Sequence, residues 1–351
     1  MQEDLKEVAL LRNQIKDKQL PPSISEYVNV LLERVERASR YGNYSTEYES
    51  ISKYIYWVMA LPWGSYTVDN LDMQNALQSM DKNHYGMSTI KERILEFIAV
   101  MNLQKSRNEN MHTHTPIICF VGLQGIGKTT MARSIAGALG RSFERISLGG
   151  MPSALELLGH SKANPDAEPG QIVKALIKAK TMNPVILLDE VEKCGNDLGS
   201  RASVMASLLE ILDPEQNVSF MDNYIGFPID LSQVSFILTA NNLGPVSSAL
   251  LDRLEIIKLT GYSDEEKEEI ARHYLLPKVY EDTGLKSEQL TFADDVWHNV
   301  IRPLGYEAGI RELERVLMGV GRKSAKQVLE DPSRTIHVTK DNLTEYISPG
   351  Q

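Results

Sequence analysis

Residues 122–130 read GLQGIGKTT, and this stretch decides the fold of the chain. Gly122, Gly127, Lys128 and Thr129 match the pattern G-x-x-x-x-G-K-S/T, between the apolar run IICFV and the helical segment TMARSIAGAL. Glycines let backbone N–H groups turn inward onto phosphates, and the N-terminus of the following helix adds a positive dipole end. In this pattern the lysine reaches the β- and γ-phosphates and the hydroxyl ligates Mg²⁺. We predict a nucleotide-binding loop here rather than a tight turn with a surface lysine.

The surroundings of this loop predict an α/β plus all-α fold. In the middle of the chain the apolar runs IICFV, VILLDE and VSFILTAN alternate with helical segments, which is typical of a parallel sheet with buried strands. Helical spacing precedes this region and resumes after it, where Ser263 and Glu266 form a capping box. We predict an N-terminal helical segment at 1–64, an α/β nucleotide-binding domain at 65–260 and a small helical lid at 261–351.

Composition and charge narrow the classes of function. The formal net charge of the 351-residue chain is −10 and no cluster of lysine or arginine stands out, which argues against nucleic acid as a partner. The two cysteines, Cys119 and Cys194, fit a reducing compartment better than a disulfide framework. The N-terminus is too charged for a signal peptide, and no apolar run reaches membrane-spanning length. We expect a soluble, cytoplasmic protein, or one in another reducing intracellular compartment, without a membrane partner.

The segment NPVILLDEVEK supplies a second element of the predicted site. Its apolar run ends in Asp189 and Glu190, which places two carboxylates at the carboxyl end of a buried strand, where open α/β sheets bind ligands. Such a run is often only a strand end. Because it follows the phosphate loop in an α/β pattern, we interpret Asp189 as the Mg²⁺ partner and Glu190 as the base that activates water.

Two further segments carry weaker signals. VSFILTANN predicts a strand between the other two, ending with the Asn241 amide near the γ-phosphate, although asparagine after a strand is ordinarily a turn former. SSALLDRLEIIKL places Arg253 between a short helix and a strand. Either Arg253 makes a surface salt bridge with Asp252 or Glu255, or it is an arginine finger that enters a neighbouring subunit's site.

From Tyr85 to about Ile347 the chain resembles the AAA+ ATPase module of Lon-type ATP-dependent proteases. The segments DKNHYGMSTIKERILEFIAV, GLQGIGKT, ISLGGM, NPVILLDE, LLEILDPEQN, FILTAN, LLDRLEII and GYEAGIRELERVL follow in the family's order. YIYWVMALPWG is similar to the linker before that module. The resemblance implies ATP and Mg²⁺ as cofactors, a homo-oligomeric ring (a hexamer) and a polypeptide substrate.

The resemblance also implies a role for individual residues. The phosphates would contact Gly122, Gly125, Ile126, Gly127, Lys128, Thr129 and Thr130, and adenine would lie against His84, Tyr85 and Gly86. Asp189 and Thr129 would bind Mg²⁺, and Glu190 would be the catalytic base. Asn241 would be the first sensor, Arg253 the trans-acting finger and Arg311 the lid sensor of the γ-phosphate. For Tyr85 a simple packing role is an equal alternative.

The chain departs from the family at the segments that face the central pore. GHSKANPDAEPG places Asn164 and Pro165 where the family has an aromatic–aliphatic pair that grips substrate. An exposed aromatic offers a large apolar contact area, which asparagine and proline do not. CGNDLGSRASVMASLLE also departs from the family's pattern, and Leu123-Gln124 replaces the usual prolines of the phosphate loop.

The sequence ends about where the family's serine–lysine protease domain would begin. We expect the motor, an unfoldase and translocase, of a Lon-type ATP-dependent serine protease that acts in protein degradation, joined to a protease domain outside this sequence. The alternative is a protease-less, nucleotide-gated binding or scaffold protein with degenerate pore loops.

Overall fold

A computed structural model of the chain describes residues 12, 15, 18, 20–39, 44–106, 117–164, 166–302 and 307–347. The first eleven residues of the predicted N-terminal segment, and Pro165 of the predicted pore loop, lie outside the described residues. Within the described ranges no helix is both long and apolar enough to cross a membrane.

The nucleotide-binding region is built on a parallel sheet. The strands are, in chain order, Ile117–Val121 (β1), Phe143–Ser147 (β2), Val185–Asp189 (β3), Phe220–Met221 (β4), Pro228–Ile229 (β5), Ser235–Ala240 (β6), Leu254–Lys258 (β7), Leu290–Phe292 (β8) and Ile336–Val338 (β9). Five of them form one sheet in the order β2-β3-β6-β1-β7, and every pair is parallel. β6 lies between β3 and β1, so the predicted parallel α/β fold and the predicted place of VSFILTAN are confirmed.

Both faces of this sheet are apolar and covered. Side chains alternate along a strand, so Ile118 and Phe120 of β1 join one apolar cluster and Cys119 between them joins the other. Leu187 and Leu188 of β3 divide in the same way. A strand buried on both faces reads as a continuous apolar run, and this is why IICFV and VILLD form central strands.

Helices cover the two faces and build the parts on either side of the sheet. They are Pro22–Ser39 (α1), Tyr44–Ala60 (α2), Met73–Asn83 (α3), Ser88–Ser106 (α4), Lys128–Leu139 (α5), Leu155–Leu158 (α6), Gln171–Ala179 (α7), Leu198–Leu212 (α8), Ser248–Leu251 (α9), Asp264–Ile270 (α10), Leu276–Thr283 (α11), Trp297–Ile301 (α12), Arg311–Glu330 (α13) and Leu343–Tyr346 (α14). α1, α2, α7 and α8 contribute to one apolar cluster, and α3, α4, α5, α11 and α13 contribute to the other.

The link between α2 and α3 is bound tightly to the sheet. Asn183, just before β3, accepts a hydrogen bond from the Thr67 amide at 2.8 Å and donates one to the Thr67 carbonyl at 2.9 Å. Arg141, just before β2, makes two hydrogen bonds to Asp69, of 2.6 and 2.7 Å, and both side chains are buried. The N-terminal helices are therefore joined to the sheet by a shared core and by a fixed connection.

The lid follows β7 and is mostly helical, as predicted. The capping box of Ser263 and Glu266 is confirmed at the start of α10. Two short parallel strands, β8 and β9, were not predicted; they pair within the lid over three residues each. Apolar residues of both outer parts share clusters with the sheet, so the predicted division at 1–64, 65–260 and 261–351 stays a prediction.

Candidate active site

The phosphate loop connects β1 to α5 in a conformation that requires glycine at two positions. A Cβ on Gly122 would lie 2.5 Å from the Leu259 carbonyl oxygen, so no larger residue fits between the loop and the end of β7. Gly127 has φ = 93°, a left-handed conformation that glycine adopts without strain, and it caps the N-terminus of α5. The loop thus delivers the N-terminus of α5, with its free backbone N–H groups, to the carboxyl edge of the sheet.

Lys128 is folded back over the loop. Its Nζ donates hydrogen bonds to the carbonyl oxygens of Gly122 at 2.5 Å and Leu123 at 2.8 Å, and to Asn241 Oδ1 at 3.0 Å. Burial lowers the pKa of Lys128, while the carboxylates of Glu192 and Asp189 oppose that shift. The ammonium group is therefore held within reach of the strand ends β1, β3 and β6.

Asp189, the last residue of β3, is buried, and each of its two carboxylate oxygens has a protein partner. Its Oδ2 accepts hydrogen bonds from Arg145 Nε at 2.7 Å and is 2.6 Å from Arg145 Nη2. Its Oδ1 accepts a hydrogen bond from the Thr239 hydroxyl on the neighbouring strand β6. Both oxygens of this carboxylate are thus oriented by protein groups, and a cation already lies beside one of them.

Glu190 follows in a backbone conformation that is rare for a residue with a side chain. Its φ is 61°, and its amide donates a hydrogen bond of 3.0 Å to Thr239 Oγ1. Oε1 pairs with Lys193 Nζ at 2.6 Å, and Oε2 lies 2.8 Å from the position that a Cβ on Gly149 would take. Left-handed backbone at a non-glycine residue is a form of strain that concentrates at functional sites.

Asn241, directly after β6, connects two charged groups. Its Oδ1 accepts the hydrogen bond from Lys128, and its Nδ2 donates one of 2.6 Å to Glu192 Oε1. Glu192 is buried, and its other oxygen has no hydrogen-bond partner within the described ranges. The amide is therefore fixed in one orientation by an acceptor on one side and a donor on the other.

These side chains line one cleft of about 320 Å³. The loop and α5 contribute Gly125, Gly127, Lys128, Thr129 and Thr130 to its lining. The ends of β3 and β6 contribute Asp189, Glu190 and Asn241, and Arg145 comes from the middle of β2. The lid contributes Arg311 and Glu314 from the first turn of α13, and Ile310 before it. Two of the predicted phosphate-contacting residues lie beside the cleft: Gly122 accepts from Lys128, and Ile126 is buried under the loop.

Arg311 stands apart from the other cations of the cleft. Its side chain lies against Gly125, since a Cβ on that glycine would come within 3.1 Å of Arg311 Cγ. Within the part of the chain that the structure describes, its guanidinium has neither a hydrogen bond nor an ion pair. A charged group that lines a cleft without a partner is available to bind an anion.

Two family comparisons and a set of relatives agree with this architecture. Residues 118–262 match the ATPase family associated with various cellular activities (AAA), and residues 281–336 match the Lon protease AAA+ ATPase lid domain. Lon protease 2 of Herpetosiphon aurantiacus is 44% identical over 316 residues, covering 90% of this chain and 38% of that protein. Lon protease of Dictyoglomus thermophilum is 42% identical over 98% of this chain and 42% of its own length. For Lon protease 1 of Bacillus subtilis the identity is 42%, over 97% of this chain and 43% of that protein.

The chain belongs to the Lon-type AAA+ ATPases. It is accordingly a nucleotide-binding enzyme of the ATPase class, which confirms the resemblance drawn from its motifs. The chain spans about two fifths of the length of the curated relatives it matches.

On the far side of the phosphate loop of this Lon-type module lie the residues predicted to flank adenine. His84 is buried, its Nε2 is 3.1 Å from Ser134 Oγ on α5, and its Nδ1 lies 3.9 Å from the place of a Cβ on Gly127. Burial lowers the pKa of His84 to about 4, so the ring is neutral near pH 7. Tyr85 is partly exposed, and Gly86 has φ = 62°. A cavity of about 410 Å³ lies between the start of α4 and the end of β7, and Met87, directly after Gly86, is one of its lining residues.

Arg253 does not lie in the cleft of its own module. Its Nη2 pairs with Asp213 Oδ2 at 2.8 Å, at the end of α8. The predicted surface salt bridge exists, but neither Asp252 nor Glu255 is the partner. Glu255 instead pairs with Arg93 at 3.0 Å. The finger hypothesis places Arg253 in a neighbouring subunit's site, and this stays a prediction.

The predicted pore segment is closed at its base and exposed at its tip. Asp222 is fully buried and accepts hydrogen bonds from the amides of Gly170 at 2.7 Å, Tyr224 at 2.8 Å and Ile225 at 2.9 Å. The bond from Gly170 fixes the base of the loop that carries Asn164, and Asn164 itself is exposed to solvent.

The oxygen donors of the cleft fit a magnesium ion that is bound together with nucleotide. Among the described residues, no group of three or more His, Cys, Asp or Glu side chains could hold a metal by itself. Thr129 and Asp189 supply a hydroxyl and a carboxylate in the same cleft. Mg²⁺ prefers one or two such ligands together with substrate phosphates and waters. The site therefore suits Mg²⁺ bound to a nucleotide and does not suit a metal held by protein alone.

Four residues of the site were not identified from the sequence. Arg145 and Thr239 bind Asp189, Glu192 binds Asn241, and the Tyr262 hydroxyl donates to the Ile126 carbonyl at 3.1 Å. Thr239 could have been found from the sequence, because it lies on β6 two residues before Asn241. The others show no local pattern that distinguishes them from ordinary strand or turn residues.

Proposed function

We propose that this module binds ATP with Mg²⁺ in the described cleft and hydrolyses it, as the motor of an ATP-dependent protease that acts in protein degradation. The observation that carries the proposal is the convergence of Lys128, Asp189, Glu190, Asn241 and Arg311 on one cavity at the carboxyl edge of the sheet. These groups come from the phosphate loop, two adjacent strand ends and the lid, so no local structural need explains why they meet.

Phosphate binding rests on the loop and its lysine. The backbone N–H groups at the N-terminus of α5 would hold the phosphate oxygens, and Lys128 would exchange its carbonyl partners for the β- and γ-phosphates. Arg311, which has no partner among the described residues, would bind the γ-phosphate from the lid side. Because Arg311 is the first residue of α13, loss of the γ-phosphate would remove this contact between the lid and the nucleotide.

Water activation rests on Glu190 and Asn241. Glu190 would accept the proton of the attacking water, and the Asn241 amide would orient that water against the γ-phosphate. Mg²⁺, held by Thr129 and Asp189 with the phosphates, would neutralise the charge that develops on the phosphate oxygens. Glu190 must first leave Lys193, an exposed pair that costs little to break.

Assembly completes the site in this proposal. Arg253 is partly exposed and does not line its own cleft, so in this proposal it contacts a phosphate bound to another copy of the chain. We propose a homo-oligomeric ring, a hexamer, that acts on polypeptide together with a Lon-type protease domain. Cys119 and Cys194 are buried free thiols, in keeping with a cytoplasmic or other reducing location.

The scaffold alternative is not favoured. Relatives named Lon protease match over nearly the whole chain, and the residues proposed for hydrolysis line one cleft. Asn164 remains a poor gripping residue, so translocation is the part of the proposal that most needs a test. The test joins this module to a Lon protease domain and supplies a folded reporter protein that must be unfolded before it is cut. Degradation of the reporter would support translocation, and ATP turnover without degradation would support the scaffold alternative.

The hydrolytic role is tested with two substitutions. Lys128→Ala should abolish nucleotide binding, because the loop loses its only ammonium. Glu190→Gln should bind ATP normally while turnover falls by about 100-fold or more, the usual contribution of a general base. Binding is measured by calorimetry and turnover by phosphate release, with Glu281→Gln on α11 as the control. Unchanged turnover in Glu190→Gln would refute the base assignment.

A further inference from the structure

The Arg145 side chain stands at the boundary between the nucleotide cleft and a second cavity. It lines the cleft of about 320 Å³ and also a cavity of about 340 Å³ on the other side, which Ser147, Met151 and Glu156 line as well. From this boundary it binds Asp189 through Nε and Nη2. We propose that Arg145 is a positioning residue of the magnesium site: it neutralises Asp189 in the metal-free protein and leaves that carboxylate when Mg²⁺ enters with nucleotide.

Strand register explains why this arginine meets this aspartate. β2 pairs with β3 so that Ser147 lies opposite Asp189, and Arg145 lies two residues earlier on the same face of the sheet. Asp189 is held by the strand and by Thr239, and its side chain is 7% exposed. The Arg145 side chain is 49% exposed. One partner of the pair is therefore fixed and the other has room to move.

Electrostatics makes the two cations competitors. A buried carboxylate without a counter-charge is costly, so Arg145 stabilises Asp189 while no metal is present. A divalent ion a few ångströms from the same carboxylate would repel the guanidinium strongly. Since Asp189 is fixed, the arginine is the group that must withdraw when the metal binds.

The second cavity offers the displaced side chain a place and a partner. Glu156, on α6, faces this cavity and has no ion pair within the described ranges. α6 leads directly into the exposed loop that carries Asn164. Movement of Arg145 from Asp189 towards Glu156 would therefore report the arrival of metal and nucleotide to the segment proposed to contact substrate.

The test is Mn²⁺ binding, measured by electron paramagnetic resonance in saturating ADP, so that no turnover is needed. Arg145→Gln removes the competing charge, and Mn²⁺ should bind about tenfold tighter than to the wild type. Arg145→Lys keeps the charge but loses the two-point contact, so tightening of about threefold is expected. In EDTA without nucleotide, the melting temperature should be highest for the wild type, lower for Arg145→Lys and lowest for Arg145→Gln, because the arginine stabilises Asp189 when no metal is bound. Lys340→Gln, which removes one cation from a lid ion pair, should leave Mn²⁺ affinity unchanged.

Equal Mn²⁺ affinity in the wild type and both arginine variants would overturn the proposal, as would weaker binding in Arg145→Gln. If Arg145→Gln does not fold, unchanged affinity in Arg145→Lys overturns it alone. The proposal rests on Asp189 as a metal ligand, and Asp189→Asn tests that separately. If Asp189→Asn binds Mn²⁺ as tightly as the wild type, the assignment of the metal site is wrong. If Asp189→Asn weakens Mn²⁺ binding but the arginine variants have the same Mn²⁺ affinity as the wild type, the metal site is supported and the proposed role of Arg145 is wrong.

Discussion

The Ile310 amide donates a hydrogen bond of 3.0 Å to the Gly125 carbonyl, and this bond joins the lid directly to the phosphate loop. The contact is close because the preceding residue is glycine. A Cβ on Gly309 would lie 2.6 Å from the Gln124 carbonyl oxygen and 2.9 Å from Gly125 Cα. Lid position and loop geometry are thus coupled through backbone atoms, which cannot move aside as a side chain can.

Gly309→Ala should separate the lid from the loop and weaken nucleotide binding by about tenfold, the scale of an overpacked contact. Fluorescence titration with a labelled ADP measures the effect. Gly319→Ala is the matched control, because a Cβ there meets nothing within 4 Å and alanine favours the helix. Equal affinities in the two variants would show that the contact does not position the lid.

Arg311→Ala should weaken binding of ATP by about tenfold, the scale of one hydrogen bond to a charged group, and that of ADP much less. The reason is that Arg311 is proposed to contact only the γ-phosphate. The matched control is Arg315→Ala, one turn along the same helix, whose side chain is 79% exposed. Competition binding with a non-hydrolysable ATP analogue and ADP gives both values. An equal loss for the two nucleotides contradicts the γ-phosphate contact.

Arg253→Ala should abolish hydrolysis while leaving nucleotide binding intact, because the finger acts on a neighbouring subunit. The test mixes Arg253→Ala with Glu190→Gln. In a mixed ring, some interfaces pair Glu190 from the first variant with Arg253 from the second, and these interfaces hold a complete catalytic site. The mixture should therefore hydrolyse ATP although each variant alone does not. A mixture as inactive as its components rejects action in trans.

Acid should destabilise the protein through His84. Its pKa is lowered from 6.5 to about 4 by burial, so the unfolded chain binds the proton more readily than the folded one. Above pH 6.5 His84 is neutral in both states and costs the folded protein no stability. As the pH falls from 6.5 towards 4 the free energy of unfolding decreases, and by about pH 5 the loss is about 2 kcal/mol. Urea unfolding at about pH 8 and pH 5 measures it.

The comparison for this experiment is His84→Gln, which keeps a polar partner for Ser134 and cannot titrate. Its stability should change less between the two pH values than that of the wild type. His298→Gln, at an exposed position, should retain the full pH dependence. If wild type and His84→Gln lose the same stability, His84 is not the titrating group.

Much of the fold could be predicted because it depends on local patterns. The apolar runs gave the central strands, and the capping box gave the start of α10. The place of one strand was also predicted, because the strand before Asn241 was expected between the other two and β6 lies between β3 and β1. The positions of β2 and β7 in the sheet were not predicted. Short strands such as β8 and β9 carry too few residues for a periodic signal.

Side-chain partners could not be predicted, because they depend on which distant elements meet. Arg253 pairs with Asp213, which is 40 residues away in the chain, and neither of its acidic neighbours in sequence is its partner. Arg145 and Asp189 are 44 residues apart and meet only through the register of β2 and β3. A single sequence shows that such charges exist and does not show which of them are adjacent in space.

The two hydrogen bonds between Arg141 and Asp69, together with those between Thr67 and Asn183, fix the link that follows α2 to the start of β2 and β3. A force applied to α1 and α2 would therefore reach the amino ends of β2 and β3, and these strands would pass it along the sheet to the cleft at their carboxyl ends. A molecule bound to α1 and α2 would thus be mechanically coupled to the nucleotide cleft. Restraining these helices would in turn slow the conformational change of the ATPase.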